Sequence, residues 1–266
     1  MRYAKSRNRN RLASTAARGL RLLILVLAAW TGEAAADTYI ILSLIGDRVT
    51  IIGQGTQVGS HFDQNRREVV PLVESQLDDF AVRVADATIA KVRPGASVIT
   101  LRASDPKLYA LRESWLDADA IEVRELLSLI PNQIPPSPDS HLLLITPYRD
   151  QPELKTDRLS LGSGKVAGLG FYLDSAKRLR RSDTMESAPG FLGVFAHFQL
   201  VLINLQTSAI EAHQRVVVGT TYSAARAEDR TPWNALSSTD KTRALASLMK
   251  DGIERWLPGM LSSQKP

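Results

Sequence analysis

The run Val194 to Leu205, VFAHFQLVLINL, is almost unbroken in β-branched, aromatic and aliphatic residues. Four small or polar residues, Gln206 to Ala209, separate it from a second β-rich run, Ile210 to Tyr222. Two such runs around so short a link predict a long hairpin. A turn at Thr207 and Ser208 sets His213 opposite Leu202 and His197 opposite Val218. The two histidines then stand about 17 Å apart, too far to share a metal. A structural or surface role is expected for both.

The rest of the chain alternates strand and helix signals. Thr38 to Ile45 (TYIILSLI) and Arg48 to Gly53 (RVTIIG) flank a short link containing Gly46 and Asp47, which predicts a second hairpin. The stretch from Gln54 to Glu68 is polar. From Leu72 to Arg93, apolar residues recur at Val73, Leu77, Phe80, Val84 and Ala87, the stripe of an amphipathic helix ended by Pro94 and Gly95. A strand over Ser97 to Leu101 and two short helices around Leu108 to Ser114 and Ala118 to Ile130 follow. The segment Pro131 to Ser140 carries Pro131, Pro135, Pro136 and Pro138 and reads as a loop. Leu142 to Ile145 suits a sheet centre. Lys165 to Leu173 reads as a strand in which Gly168 and Gly170 mark a bulge or a close backbone contact. A helix from about Asp240 to Leu257 closes the chain, capped by Ser237 and Asp240, with Leu245, Leu248, Ile253 and Trp256 on one face. The expected fold class is α/β (α+β): a single mixed β-sheet with helices packed against it and a long C-terminal hairpin followed by a helix.

The N-terminus carries an export signal. Seven Lys or Arg residues between Arg2 and Arg21 precede the apolar run Leu22 to Trp30 and the small triplet Ala34, Ala35, Ala36. This pattern predicts a signal peptide over residues 1–36, cleaved before Asp37, and one mature domain over residues 37–266. The apolar run is too short for a spanning helix, so no transmembrane span is expected after cleavage. From Asp37 onward the chain holds 26 basic and 27 acidic residues, so the footprint of a nucleic-acid binder is missing. Cysteine is absent, which excludes disulfides, thiolate catalysis and a lipidated N-terminus. A periplasmic location fits best.

Motifs that suggest chemistry fail on their spacing. Gly53, Gly55 and Gly59 miss the dinucleotide-loop pattern, and the Gly162 to Lys165 segment lacks both the first glycine and the Ser or Thr of a phosphate loop. Leu161 and Lys165 stand where a nucleophile elbow around Ser163 needs glycines. No cofactor and no metal site is implied. His61 with Asp63 offers a ligand pair in a polar segment, without a third ligand. Lys177, Arg178, Arg180 and Arg181 form the dense basic patch of the mature chain, read as an exposed loop running on through Thr184. Together these six residues are the candidate binding positions.

The Pro-rich loop with Ser140 to Pro147 (SHLLLITP), the glycine-punctuated strand, Phe198 to Gly219 and the terminal helix resemble a known periplasmic domain. It is shared by the curli-secretion lipoprotein family and the outer-membrane lipoprotein activators of peptidoglycan synthases. The likeness spans about residues 136–257. The family's Thr-Gly-Glu turn appears here as Thr207, Ser208, Ala209, with Glu211 two places late, and its lipid-bearing cysteine has no counterpart. The resemblance implies a mixed sheet and an accessory role in the cell envelope.

The function expected from all of this is that of an exported periplasmic accessory protein. It would bind another envelope protein or an anionic envelope component without catalysis. The alternative is a periplasmic hydrolase whose site gathers His61, Asp63, His141 and Ser163 from distant parts of the chain.

Overall fold

The computed structural model describes residues 37–55, 65–72, 76–118, 120–130, 137, 139–155 and 160–263. The strands among these residues are β1 (Thr38–Ser43), β2 (Arg48–Gly53), β3 (Arg66–Pro71), β4 (Ser97–Leu101), β5 (Ser140–Pro147), β6 (Arg149–Asp150), β7 (Leu154–Lys155), β8 (Ser160–Leu161), β9 (Val166–Arg180), β10 (Ser187–Asn204) and β11 (Ile210–Ser223). The helices are α1 (Gln76–Val92), α2 (Pro106–Ala118), α3 (Val123–Leu129) and α4 (Ser238–Ser262).

Strand β10 is the axis of a mixed sheet. One edge pairs with β11 along nearly its whole length. The other edge is shared: β9 pairs from Ser187 to His197, and β5 pairs from Phe198 to Asn204. The sheet therefore forks between His197 and Phe198. One prong continues through β9, β2 and β3; the other continues through β5, β1 and β4, these three running parallel.

The fork overturns the hairpin expected of Thr38 to Gly53. Strands β1 and β2 are consecutive in sequence yet belong to different prongs. Burial explains the choice, because TYIILS is apolar on both faces and such a strand belongs at the centre of a parallel set covered from both sides. Tyr39 and Ile41 face a core shared with α1 and α4, whereas Ile40 and Leu42 face one shared with α2 and α3. The link from Leu44 to Asp47 crosses the mouth of the fork. It is clamped by Asp78 in the first turn of α1, whose Oδ1 accepts from Ser43 Oγ at 2.6 Å, Ile45 N at 2.9 Å and Gly46 N at 3.0 Å.

The long C-terminal hairpin is present, with its register moved by one residue. His213 faces Val201 and His197 faces Val217, because a bulge at Leu202 and Ile203 absorbs an extra position. Asn204 drives that longer turn, its Oδ1 accepting from Gln206 N and Thr207 N at 3.0 Å each. The histidines remain four positions apart along β10, about 14 Å. Gly170 is the close contact its position suggested: a Cβ there would lie 2.1 Å from the Thr50 carbonyl oxygen. Strand β3 begins inside the polar stretch from Gln54 to Glu68.

Each long helix buries one stripe of its surface. Helix α1 presents Leu77, Ala81, Ala85 and Ile89, a stripe rotated from the expected one, and Ala87 is exposed. Helix α4 runs on to Ser262, buries Leu245, Met249, Gly252 and Ile253, and leaves Trp256 exposed. Ser237 caps it as expected, accepting from Asp240 N at 3.1 Å. Among the described residues no helix is long and apolar enough to cross a membrane.

Candidate functional site

His61 and Asp63 lie outside the described residues. The basic patch is described, and it is not a loop. Strand β9 continues to Arg180 and pairs with β10, Arg178 facing Pro189 and Arg180 facing Ser187. Only the tip beyond Arg180 turns, through Met185 with φ 63°. Alternation along the strand puts Arg178 and Arg180 on one face and Leu179 on the other. The Leu179 carbonyl accepts there from Ser223 Oγ at 2.9 Å. Arg181 is tied across the turn by two bonds to Asp183, at 3.0 and 2.8 Å, and faces Glu186 at 3.6 Å. Strand pairing, absent from the local charge pattern, extends this segment and divides the four cations.

The hydrolase set is not gathered by the described residues. His141 sits at the start of β5, its Nδ1 2.8 Å from Glu211 Oε2 and its ring stacked on Tyr39. Ser163 precedes β9, its amide donating to the Tyr172 hydroxyl at 2.9 Å. Strand β10 measures the gap: His141 pairs with Asn204 and Tyr172 with Gly193. About eleven positions at 3.4 Å each separate those partners by roughly 37 Å. Ser163 is also bound by Asn65 Nδ2, which donates to its carbonyl at 2.6 Å. Among the described residues no group of three His, Asp or Glu side chains could hold a metal ion.

What the fold does build is a cavity of about 720 Å³ in the crotch of the fork. It opens at the carboxyl ends of the parallel strands β1 and β5, the place where a sheet that changes direction leaves a crevice. Its walls come from five segments distant in sequence: the link after β1, the β2–β3 pair, α2, the turn after β5, and the start of β9. Five cations line it, Arg48, Arg67, Arg112, Arg149 and Lys165, against two carboxylates, Asp47 and Glu113.

The two carboxylates are committed to the wall. Arg112, only 1% exposed at its side chain, forks onto Asp47, with Nη2 3.1 Å from Oδ2, and donates to the Leu44 carbonyl at 2.8 Å. Its Nη2 also reaches Glu113 Oε1 at 2.7 Å, and Arg48 Nη2 donates to the same oxygen at 2.9 Å. Burial dominates the Asp47 carboxyl and pushes its pKa up despite the cation of Arg48. Two guanidiniums and two carboxylates thus neutralise one another as a rigid block. Arg67, Arg149 and Lys165 are the remaining cations of the lining. Arg67 reaches over to the Lys165 carbonyl at 3.0 Å, which joins β3 to the approach of β9.

The sheet face beside the cavity is polar at the branch. His197 is fully buried, and neither ring nitrogen makes a hydrogen bond of good geometry among the described residues. Burial, opposed by the charge of Asp150 and by the Val166 backbone, lowers its pKa to about 4. Thr146 Oγ1 and Trp115 Nε1 are also buried without a described partner. Thr146 pairs with Gln199 next to His197 on the same face, and Trp115 reaches that face from α2.

None of the five cavity cations was among the candidates read from the sequence. They are scattered and sit in no motif. The available signal was Gly46–Asp47–Arg48 directly after a strand apolar on both faces, since the carboxyl end of a central parallel strand is where a binding crevice forms.

No family model and no curated protein matches the chain. Among solved structures, a putative neuraminyllactose-binding hemagglutinin homolog from Helicobacter pylori is similar at 8% identity, with 87% of this chain and 84% of that one covered and a TM-score of 0.37. Protein XCC0632 from Xanthomonas campestris, of the DUF330 family, is similar at 9% identity, with 86% and 88% covered and a TM-score of 0.32. Likenesses this faint assign neither a family nor a function. The resemblance to the curli-secretion family rests on apolar spacing alone.

Proposed function

We propose that this is an exported accessory protein of the bacterial cell envelope, cleaved after Ala36, which binds an anionic envelope component in the forked-sheet cavity and catalyses nothing there. One observation carries the reading: a concave site with five cations and two carboxylates, in which both carboxylates are already bonded to arginines. A crevice lined by more cations than carboxylates attracts anions even though the mature chain is close to neutral. The expected periplasmic location follows from the N-terminal signal pattern, and residues 37–266 then act as one mature domain.

The test is retention of the mature protein on envelope fractions over a range of salt. Retention should fall as salt rises, since the contact is screened over about 8 Å at physiological ionic strength. It should also fall in an Arg67→Glu, Lys165→Glu variant. Salt-independent retention that is equal for both proteins would sink the proposal. N-terminal sequencing of the processed protein should begin at Asp37.

A further inference from the structure

We infer that the outer end of the β9–β10 hairpin is an arm that docks on an anionic phospholipid bilayer, its cations level with the headgroups and Met185 entering the interface. This surface is separate from the cavity and does not depend on it.

The arm holds cations away from the domain. Three residues of β9, Ser175 to Lys177, stand against Gly190 alone in β10. Asp174 fixes this bulge, its Oδ1 accepting from Ala176 N at 2.7 Å and Lys177 N at 2.8 Å. Beyond it Ala188 packs with Ala224 and Ala225, and every residue from Ser182 to Ser187 is exposed. Lys177, Arg178 and Arg180 are exposed as well. From Ser175 to Ser187 four cations meet two acids, Asp183 and Glu186. Arg181 is paired with both of those acids. Among the described residues the Lys177 ammonium and the Arg178 guanidinium make no hydrogen bond or ion pair, so their charge is available to a ligand.

The second observation is Met185. It is 56% exposed, the largest exposure of any big hydrophobic side chain described. Its φ of 63° lies in the left-handed region, which glycine takes freely and a Met side chain resists. Arg180 Nε donates to the Met185 carbonyl at 3.1 Å, so the apolar tip and a free-standing cation are neighbours. An apolar side chain at the extreme end with cations behind it follows the order of a bilayer surface, where charged headgroups cover the acyl chains. An acidic protein surface would match the charges and leave Met185 in water. One apolar side chain and three cations give reversible, salt-sensitive docking, far short of a permanent anchor.

Sedimentation of the purified protein with vesicles tests this, using phosphatidylcholine alone and equal parts of phosphatidylcholine and phosphatidylglycerol. At low salt the protein should sediment with the mixed vesicles and stay in solution with the neutral ones. Each cation near an anionic surface contributes about fivefold, so the combined Lys177→Ala, Arg178→Ala, Arg180→Ala variant should bind roughly a hundredfold more weakly. Met185→Gly should bind several-fold more weakly while its thermal midpoint equals or exceeds that of wild type, which shows that it is folded. Equal binding of both vesicle types, or full binding by the triple variant, overturns the proposal. Full binding by Met185→Gly overturns the inserted tip, which is what separates a bilayer from any other anionic surface. If neither vesicle type binds and the triple variant still loses salt-sensitive retention on envelope fractions, the bilayer is overturned and an acidic protein or polymer takes its place. The cavity reading is tested at Arg67 and Lys165, which these variants leave unchanged.

Discussion

Arg112 and Asp47, 65 positions apart, meet through two guanidinium nitrogens and two carboxylate oxygens, and this pair welds α2 to the link that crosses the fork. Because the Arg112 side chain is almost completely buried while that of Asp47 is 25% exposed, loss of the arginine strands a partly buried carboxylate. Arg112→Leu should cost about 3 kcal/mol, the lower end for breaking a buried pair. Arg112→Lys should recover only part of this, since an ammonium cannot fork onto Asp47 and hold Glu113 and Leu44 together. Urea unfolding of the three proteins checks the ranking. Equal midpoints for wild type and Arg112→Leu would show that the block holds nothing in place.

Two glycines report how closely the layers approach. At Gly252 an added Cβ would lie 2.6 Å from Val216 Cγ1 and 2.9 Å from Phe198 Cζ. Alanine raises helix propensity by about 1 kcal/mol, and the clash should outweigh it, leaving Gly252→Ala less stable by about 1 kcal/mol. At Gly170 the neighbour is the Thr50 carbonyl at 2.1 Å, a backbone atom held in the β2–β9 ladder. Gly170→Ala should therefore be the more damaging of the two. Denaturant midpoints decide the order, and a stabilised Gly252→Ala would refute the packing argument.

Two buried groups pull the pH dependence in opposite directions. Asp78 is raised to about 6, chiefly by burial, against the hydrogen bonds from Ser43, Gly46 and Ile45. Its folded pKa lies above the unfolded one, so its contribution to stability is full below about pH 4 and is lost as pH rises through 6. His197 is lowered from 6.5 to about 4, again chiefly by burial. Its contribution is full above 6.5 and is lost as pH falls through 4. Between pH 4 and 6 the two slopes oppose, each on the order of 1.4 kcal/mol per pH unit at most. Relative to wild type, Asp78→Asn should gain stability as pH rises through this window, and His197→Phe should lose it. Chemical denaturation at pH 4, 5 and 6 reads both differences. Parallel curves for all three proteins would remove these groups from the pH dependence.

Local patterns carried most of the elements and little of the site. Ser97 to Leu101, the Ser237 cap and the long hairpin are each written in a few adjacent residues, so periodicity and capping chemistry predict them directly. A short Gly-containing link suits a hairpin, yet β1 pairs with β4 and β5. The decisive fact was that TYIILS has no polar face, and this demands partners found 59 and 102 positions later, at Ser97 and Ser140. The cavity was invisible for the same reason. Arg48, Arg67, Arg112, Arg149 and Lys165 become neighbours only once the sheet forks. The patch at Lys177 to Arg181 stood out because its charges are contiguous in sequence, which says nothing about whether strand pairing will separate them.

That patch gives the last prediction. Arg178 and Arg180 are exposed on the far end of β9, and alanine at each should change stability by no more than about 0.5 kcal/mol. Arg181 differs, because its bonds to Asp183 close the turn and its Nη1 faces Glu186. Arg181→Ala should leave the global midpoint nearly unchanged and speed amide exchange at Asp183 to Glu186, a local opening at the tip of the hairpin. Lys165 and Arg180 are fifteen positions apart along one extended segment. A bulge in β9 shortens the span: Gly168 and Arg180 pair with residues ten positions apart on β10, about 34 Å, which is still several Debye lengths. Arg178→Ala with Arg180→Ala should therefore leave anion binding in the cavity untouched. If the arm contacts an anionic envelope surface, the same variant should lose salt-sensitive retention on envelope fractions. Retention equal to wild type would assign envelope binding to the cavity alone.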